Sequence, residues 1–212
     1  MKTRFEKVIT FIPLISNETK LVISSCLGLL ALMLCYAFPE VTDKELCFIA
    51  MMFSFLGDVS LNCKPLEKRP HSLLYTGAGF FMIAHLVYAS AYYWMIKQES
   101  LSIFNHGAFF AIVFMVILYM LTTITVVIAK KIPNKMVIFI FSLYTIVIGI
   151  NFVTICSYSY LFGSVSFIGA LSFLVSDFII GIETLFKIKS DTLRKLVWIF
   201  YPIGQFLIIV CR

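Results

Sequence analysis

Seven apolar stretches, each long enough to cross a bilayer, follow one another along the chain at roughly residues 20–38, 45–62, 73–96, 107–129, 135–156, 163–187 and 195–211. A hydrocarbon core takes about 17–25 helical residues to cross. It offers backbone amides no partner except one another, so only helices or closed barrels can span it. The runs are long and unbroken rather than short and alternating, which predicts helices. The expectation is an all-α, polytopic membrane helix bundle of seven transmembrane helices, a single domain over residues 1–212 with the bundle at 20–212. Residues 1–19 are expected to form an interfacial helix, because Phe5, Ile9 and Ile12 share one face and Lys2 and Lys7 lie off it. A short eighth span is the alternative. Val8–Ile15 is too short an apolar run, and too broken by Pro13, for a signal peptide.

With 61% hydrophobic and 13% charged residues, the chain leaves no room for a sizeable soluble domain; an average one is about 45–50% apolar and ~25% charged. The net charge of +6 does not point to nucleic acid, because the basic residues lie in short loops. They alternate. Lys2, Arg4 and Lys7 precede the first span, Lys64, Lys68 and Arg69 follow the second, Lys130, Lys131 and Lys135 follow the fourth, and Lys187, Lys189, Arg194 and Lys195 follow the sixth. The intervening loops hold Lys44 beside Glu40 and Asp43, then Lys97, then no basic residue. The positive-inside rule then places the N-terminus in the cytoplasm. The six cysteines form no CxxC pair, and the three histidines are too scattered for a three-histidine zinc site, so neither metal nor cofactor is expected.

Few groups inside the spans can ionise, and such residues are functional candidates because a charge at a helix centre costs about 2.5–3.5 kcal/mol on insertion scales. Asp58 lies about one turn from the end of the second span, with Ser54 and Asn62 on its face at i−4 and i+4. Asp177 lies about 15 Å inside the sixth, on a stripe of Gly169, Phe173, Asp177 and Gly181 whose small residues allow close helix approach. His85 sits in mid-helix with Phe81 at i−4 and Tyr88 at i+3. Glu183 and His106 fall near span ends. Tyr201 with Gln205, and Tyr144 with Asn151, read first as interhelical hydrogen-bonding pairs. If helices two and six met, the two aspartates would share a pocket with His85 between them.

Four blocks then acquire a joint meaning: Ser54, Gly57, Asp58 and Leu61 in "SFLGDVSL"; Gly77, Phe81, His85 and Tyr88 in "GAGFFMIAHLVY"; Gly169, Phe173, Ser176 and Asp177 in "GALSFLVSD"; and Tyr201 and Gln205 in "YPIGQ". In order and spacing the chain resembles the YhhN family of lysoplasmalogenase-like membrane proteins from Ser54 onward, while its N-terminal part departs from the relatives that carry an additional first span. The resemblance implies cleavage of the vinyl-ether bond of a lysophospholipid, a lysoplasmalogen, to a fatty aldehyde and glycerophosphoethanolamine or glycerophosphocholine. It implies Asp58 and Asp177 as catalytic residues. Ser54, Asn62, His85, Tyr88, Ser176, Tyr201 and Gln205 are the residues expected to bind substrate or support them, Ser54 and Asn62 because they share the Asp58 face.

The chemistry suits two carboxylates. Vinyl ethers hydrolyse by protonation of the β-carbon to an oxocarbenium ion, which water captures, and glycosidases handle similar cations with an acid and a carboxylate. Asp177, the deeper, is the expected proton donor, and Asp58 the ionised partner, with the reverse assignment open. No GxSxG elbow, HExxH or Walker A motif offers another mechanism. A small proton-coupled transporter or a non-catalytic lipid-binding protein would also use buried aspartates, although no inverted repeat is evident. The sequence is silent on oligomeric state.

Overall fold

The computed structural model describes residues 15–39, 42–62, 71–128, 135–186, 188 and 190–210. These form seven α-helices and no strand: α1 (Asn17–Ala37), α2 (Thr42–Asn62), α3 (His71–Gln98), α4 (His106–Ile128), α5 (Lys135–Phe162), α6 (Ser166–Phe186) and α7 (Asp191–Val210). All seven contain a stretch long and apolar enough to cross a membrane, as a multi-pass membrane protein requires. The expected segment before residue 15 lies outside the described residues, as do Cys63 and Cys211.

Two boundaries differ from the sequence expectation for identifiable reasons. Helix α5 runs six residues further, to Phe162. Its polar end is held rather than solvated, because Ser157 Oγ donates to the Ile103 carbonyl at 2.8 Å and accepts from Asn105 Nδ2 at 2.7 Å. It stops at Gly163, whose φ of +64° is one a side chain disfavours. Helix α7 begins at Asp191, so Arg194 and Lys195 occupy its first turns rather than a loop. Caps explain the starts of two others: Ser16 Oγ accepts from the Thr19 amide at 3.1 Å before α1, and Asn105 Oδ1 from the Ala108 amide at 3.1 Å before α4.

Helices α1, α2, α3, α5, α6 and α7 pack successively in a closed circuit, α7 returning to α1 and also meeting α2, while α4 lies against α5. Small residues set the closest approaches. Gly169 of α6 and Gly204 of α7 face each other, and a Cβ added at Gly204 would stand 2.8 Å from the Phe173 amide nitrogen and 3.0 Å from the Gly169 carbonyl oxygen. Gly57 of α2 lies under the Phe81 ring of α3, and Gly181 of α6 under the Phe141 ring of α5. The glycines of the α6 stripe thus serve two neighbours rather than one. Without a hydrophobic difference between lipid and helix, such contacts supply much of the association energy.

Because backbone cannot yield as a flexible side chain does, Gly204→Ala is expected to destabilise the protein by about 1–3 kcal/mol and to lower its melting temperature in detergent. Gly28→Ala, whose added Cβ meets nothing within 4 Å, leaves the melting temperature unchanged or raises it.

Candidate active site

Two buried clusters of polar side chains occupy the bundle, one around each membrane aspartate. Helix α6 presents Asp177 toward α3 and α5. Its Oδ2 accepts from the Tyr144 hydroxyl at 2.8 Å and lies 3.1 Å from His85 Nε2. The other ring nitrogen of His85, Nδ1, is 2.9 Å from Asn151 Nδ2. Tyr144 and Asn151 stand two turns apart on α5, so one helix face holds both ends of this cluster. His85 is fully buried, its ring meeting that of Phe173 edge-on at 4.5 Å. Among the described residues, no hydrogen bond reaches Asp177 Oδ1.

The second cluster joins four helices. The Asp58 carboxylate of α2 accepts at Oδ2 from the Ser24 hydroxyl of α1 and from the Tyr201 hydroxyl of α7, the latter at 2.7 Å. Gln205 Nε2 reaches the Tyr201 oxygen at 3.4 Å, and Gln205 Oε1 accepts from the Tyr88 hydroxyl of α3 at 2.6 Å. Asp58, Ser24 and Gln205 are all buried. Two hydroxyl donors converging on the Asp58 carboxyl group, one of them backed by the Gln205 amide, let it exist inside an apolar bundle, where an unpaired polar group is costly.

The two clusters are connected through aromatic rings. Tyr201 packs edge-on against Phe173 at 5.4 Å and Phe81 at 6.0 Å, and Phe173 in turn meets His85.

The Asp177 cluster opens onto space. An apolar cavity of about 710 Å³, counting its mouth, lies among α2, α3, α5 and α6. Leu61, Leu74, Val137 and Thr184 line it near the helix ends, and Phe81, Tyr144 and Asp177 line it deeper in. From Thr184 to Asp177 the cavity runs roughly 10 Å along α6 at 1.5 Å per residue. A second apolar hollow, about 390 Å³ when the open space at its mouth is counted, lies among α4, α5 and α6 and shares Phe141, Tyr144 and Asp177 with the first. Among the described residues Asp177 is the single acidic side chain lining either. Among the described residues no group of three metal-ligating side chains could hold a metal ion.

The sequence carries this arrangement in a recognisable form: the model of the YhhN family matches residues 19–211. The chain belongs to the YhhN family. No curated protein and no solved structure gives a match. The family match spans six of the polar positions that build the two clusters on α2, α3, α6 and α7, and also Ser24, Tyr144 and Asn151.

The structure brings together some of the residues singled out in the sequence and separates others. His85 joins Asp177, while Tyr88, Tyr201 and Gln205 join Asp58. Asn62 turns its amide to the Asp58 backbone carbonyl at 2.8 Å, and its own carbonyl accepts from Asn17 at 3.2 Å, so it closes the end of α2 rather than entering the cluster. Ser176 Oγ donates to the Phe173 carbonyl of its own helix at 2.7 Å. Ser54 is fully buried, and its hydroxyl has no partner among the described residues. Among the described residues Asp58 and Asp177 share no hydrogen-bond partner, and the rings of Phe81, Phe173 and Tyr201 pack between the two clusters. Ser24 is absent from the residues the sequence singles out, and Tyr144 and Asn151, which it marks as an interhelical hydrogen-bonding pair, bond across to Asp177 and His85. The i,i+7 spacing of two polar groups on an apolar helix was the available signal for the last two. Nothing separates Ser24 from its neighbour Ser25 until α2 and α7 are in place.

Removing a donor from a buried carboxylate leaves an acceptor short of its partner, at about 1–3 kcal/mol. Tyr201→Phe and Ser24→Ala are each expected to destabilise the protein by that amount in detergent unfolding. Ser25→Ala removes only a hydroxyl bonded back to Leu21 of the same helix at 2.8 Å and should change stability by no more than about 0.5 kcal/mol.

Proposed function

We propose that this YhhN-family chain is a membrane-embedded hydrolase that cleaves the vinyl-ether bond of lysoplasmalogens. The observation that carries the reading is a single acid, Asp177, set in the wall of an apolar cavity and braced by His85 and Tyr144. An apolar cavity with few, convergent polar groups is the general form of a small-molecule site, and one that opens at helix ends suits a lipid with one chain.

In this reading the polar head stays near the mouth, the ether lies against Asp177, and the chain continues toward the second cavity behind Tyr144 and Phe141. The Asp177 carboxyl gives its proton to the β-carbon of the vinyl ether, forming a C–H bond and leaving an oxocarbenium ion next to the new carboxylate. Water adds to the cationic carbon and returns a proton to Asp177, and the resulting hemiacetal breaks to fatty aldehyde and the glycerol hydroxyl of the glycerophosphoethanolamine or glycerophosphocholine. The proton count closes on one water consumed. The Tyr144 and His85 donors stabilise the carboxylate that forms with the cation, which is where differential stabilisation speeds a reaction.

Asp58 serves as the second carboxylate at longer range: held by Ser24 and Tyr201, it keeps α7 and its ring wall in position beside the cation. The mouth faces the cytoplasm, and with it the N-terminus, because the connections at that end carry Lys64, Lys68, Arg69, Lys130, Lys131, Lys187 and Lys189 in sequence.

Purified protein in micelles with lysoplasmenylethanolamine is expected to release fatty aldehyde. Asp177→Asn should lower kcat by about 100-fold or more. Asp58→Asn should lower it by less, since Asp58 does not line the cavity. An Asp177→Asn variant as fast as the parent protein would rule out Asp177 as the acid, and folded parent protein without aldehyde release would rule out the hydrolase.

A further inference from the structure

The amide of Asn151 is in an unusual position. It is 2% exposed, its nitrogen lies 2.9 Å from His85 Nδ1, and its oxygen is buried with no hydrogen-bond partner among the described residues. A buried amide oxygen without a partner is costly, so some other contact has decided which way the side chain points. An amide N–H donates, so His85 Nδ1 must accept, and a neutral imidazole that accepts at one nitrogen donates at the other. That other nitrogen, Nε2, is 3.1 Å from Asp177 Oδ2, and the same oxygen takes the Tyr144 hydroxyl at 2.8 Å. The ring cannot easily turn over to exchange its nitrogens, being packed edge-on against Phe173 at 4.5 Å and Tyr144 at 5.9 Å.

We infer that Asn151 is a positioning residue: it holds His85 with its proton on Nε2, so that His85 and Tyr144 both donate to Asp177 Oδ2 and leave Oδ1 to carry the proton used in the reaction. The inference rests on the hydrolase reading for its consequence but not for its geometry. Two donors on Oδ2 exclude a proton from that oxygen, so a protonated Asp177 carries it on Oδ1, which has no partner among the described residues. In the proton transfer the Oδ1–H bond breaks as the carbon–hydrogen bond forms, and both donors remain on Oδ2 to hold the charge left behind. The water that captures the cation then returns its proton to Oδ1. With the reverse amide orientation, Asn151 would accept from Nδ1–H, and the bare Nε2 would compel Asp177 to turn its proton away from the substrate and toward the ring.

The test is nitrogen NMR of the full chain in micelles, labelled with ¹⁵N-histidine. There are three histidines, and His85→Gln identifies the signal of interest. The expected spectrum has His85 protonated at Nε2, with Nδ1 an unprotonated acceptor. Asn151→Leu should give a mixture of tautomers, and in aldehyde release a kcat lower by about tenfold with KM unchanged. Asn151→Asp, an acceptor alone, should move the proton to Nδ1. A parent protein protonated at Nδ1 would overturn the inference, and so would an Asn151→Leu variant with an unaltered His85 signal. The expected spectrum in a protein that releases no aldehyde would sustain the role of Asn151 toward His85 and overturn the hydrolase reading alone.

Discussion

A carboxylate inside an apolar bundle must find its hydrogen-bond donors within the protein, and the arrangement of this chain depends on how Asp58 does so. Its oxygen collects the hydroxyls of Ser24 and Tyr201, and Tyr201 leads through Gln205 to Tyr88. Four helices, α1, α2, α3 and α7, are therefore tied to one carboxyl group. Lipid offers the helices no hydrophobic reason to associate, so the specificity of their pairing comes from such polar contacts and from close backbone approach. The Gly169–Gly204 contact adds the second kind, locking α6 to α7. Together the two devices set where α6 stands, and hence where Asp177 points.

With α7 drawn inward by Asp58, its Tyr201 ring and the neighbouring Phe81 and Phe173 close off the centre of the bundle. The two aspartates thereby acquire different surroundings. Asp58 is sealed and fully partnered at one oxygen by hydroxyls. Asp177 has one oxygen engaged by Tyr144 and His85 and lines two cavities. Acid–base chemistry with two carboxyl groups needs just such a difference in environment. The proposed hydrolase places the reaction at the carboxyl with space beside it and leaves the other to hold the wall.

Much of the architecture was legible in the residues. The length and apolarity of the seven runs follow from the thickness of a bilayer, and of the two conformations that satisfy the backbone there, helix and closed barrel, long unbroken runs suit the helix. The differences fall at polar helix ends: the fifth span, expected to end at 156, runs on through Ser157 and Ser159, and the seventh, expected from 195, begins at Asp191. Hydropathy falls off at such ends whether or not the helix does. The site was half legible. Asp58, Asp177 and His85 stand out because an ionisable group in a span needs a reason, and Tyr201 with Gln205 because they share a helix face. Ser24 gave no sign, since a serine in a helix usually bonds back to its own turn, as Ser25 does. Tyr144 and Asn151 are visible as an interhelical hydrogen-bonding pair, but which groups they bond is not, because their partners lie on other helices.

The sequence by itself determined that the chain is a bundle of seven membrane-length helices, which residues in them are polar, and which family it belongs to. The first two depend on composition and local periodicity, which act along one segment at a time, and the family on motif blocks that are read off the chain in order. Which aspartate faces a cavity and which is enclosed, that His85 pairs with Asp177 rather than standing between two carboxylates, and that Asn151 meets the far side of its ring were decided by the tertiary structure. Those outcomes depend on which helices become neighbours, and that is settled by contacts between residues far apart in the chain, through glycine-lined approaches and shared hydrogen bonds that no single segment contains.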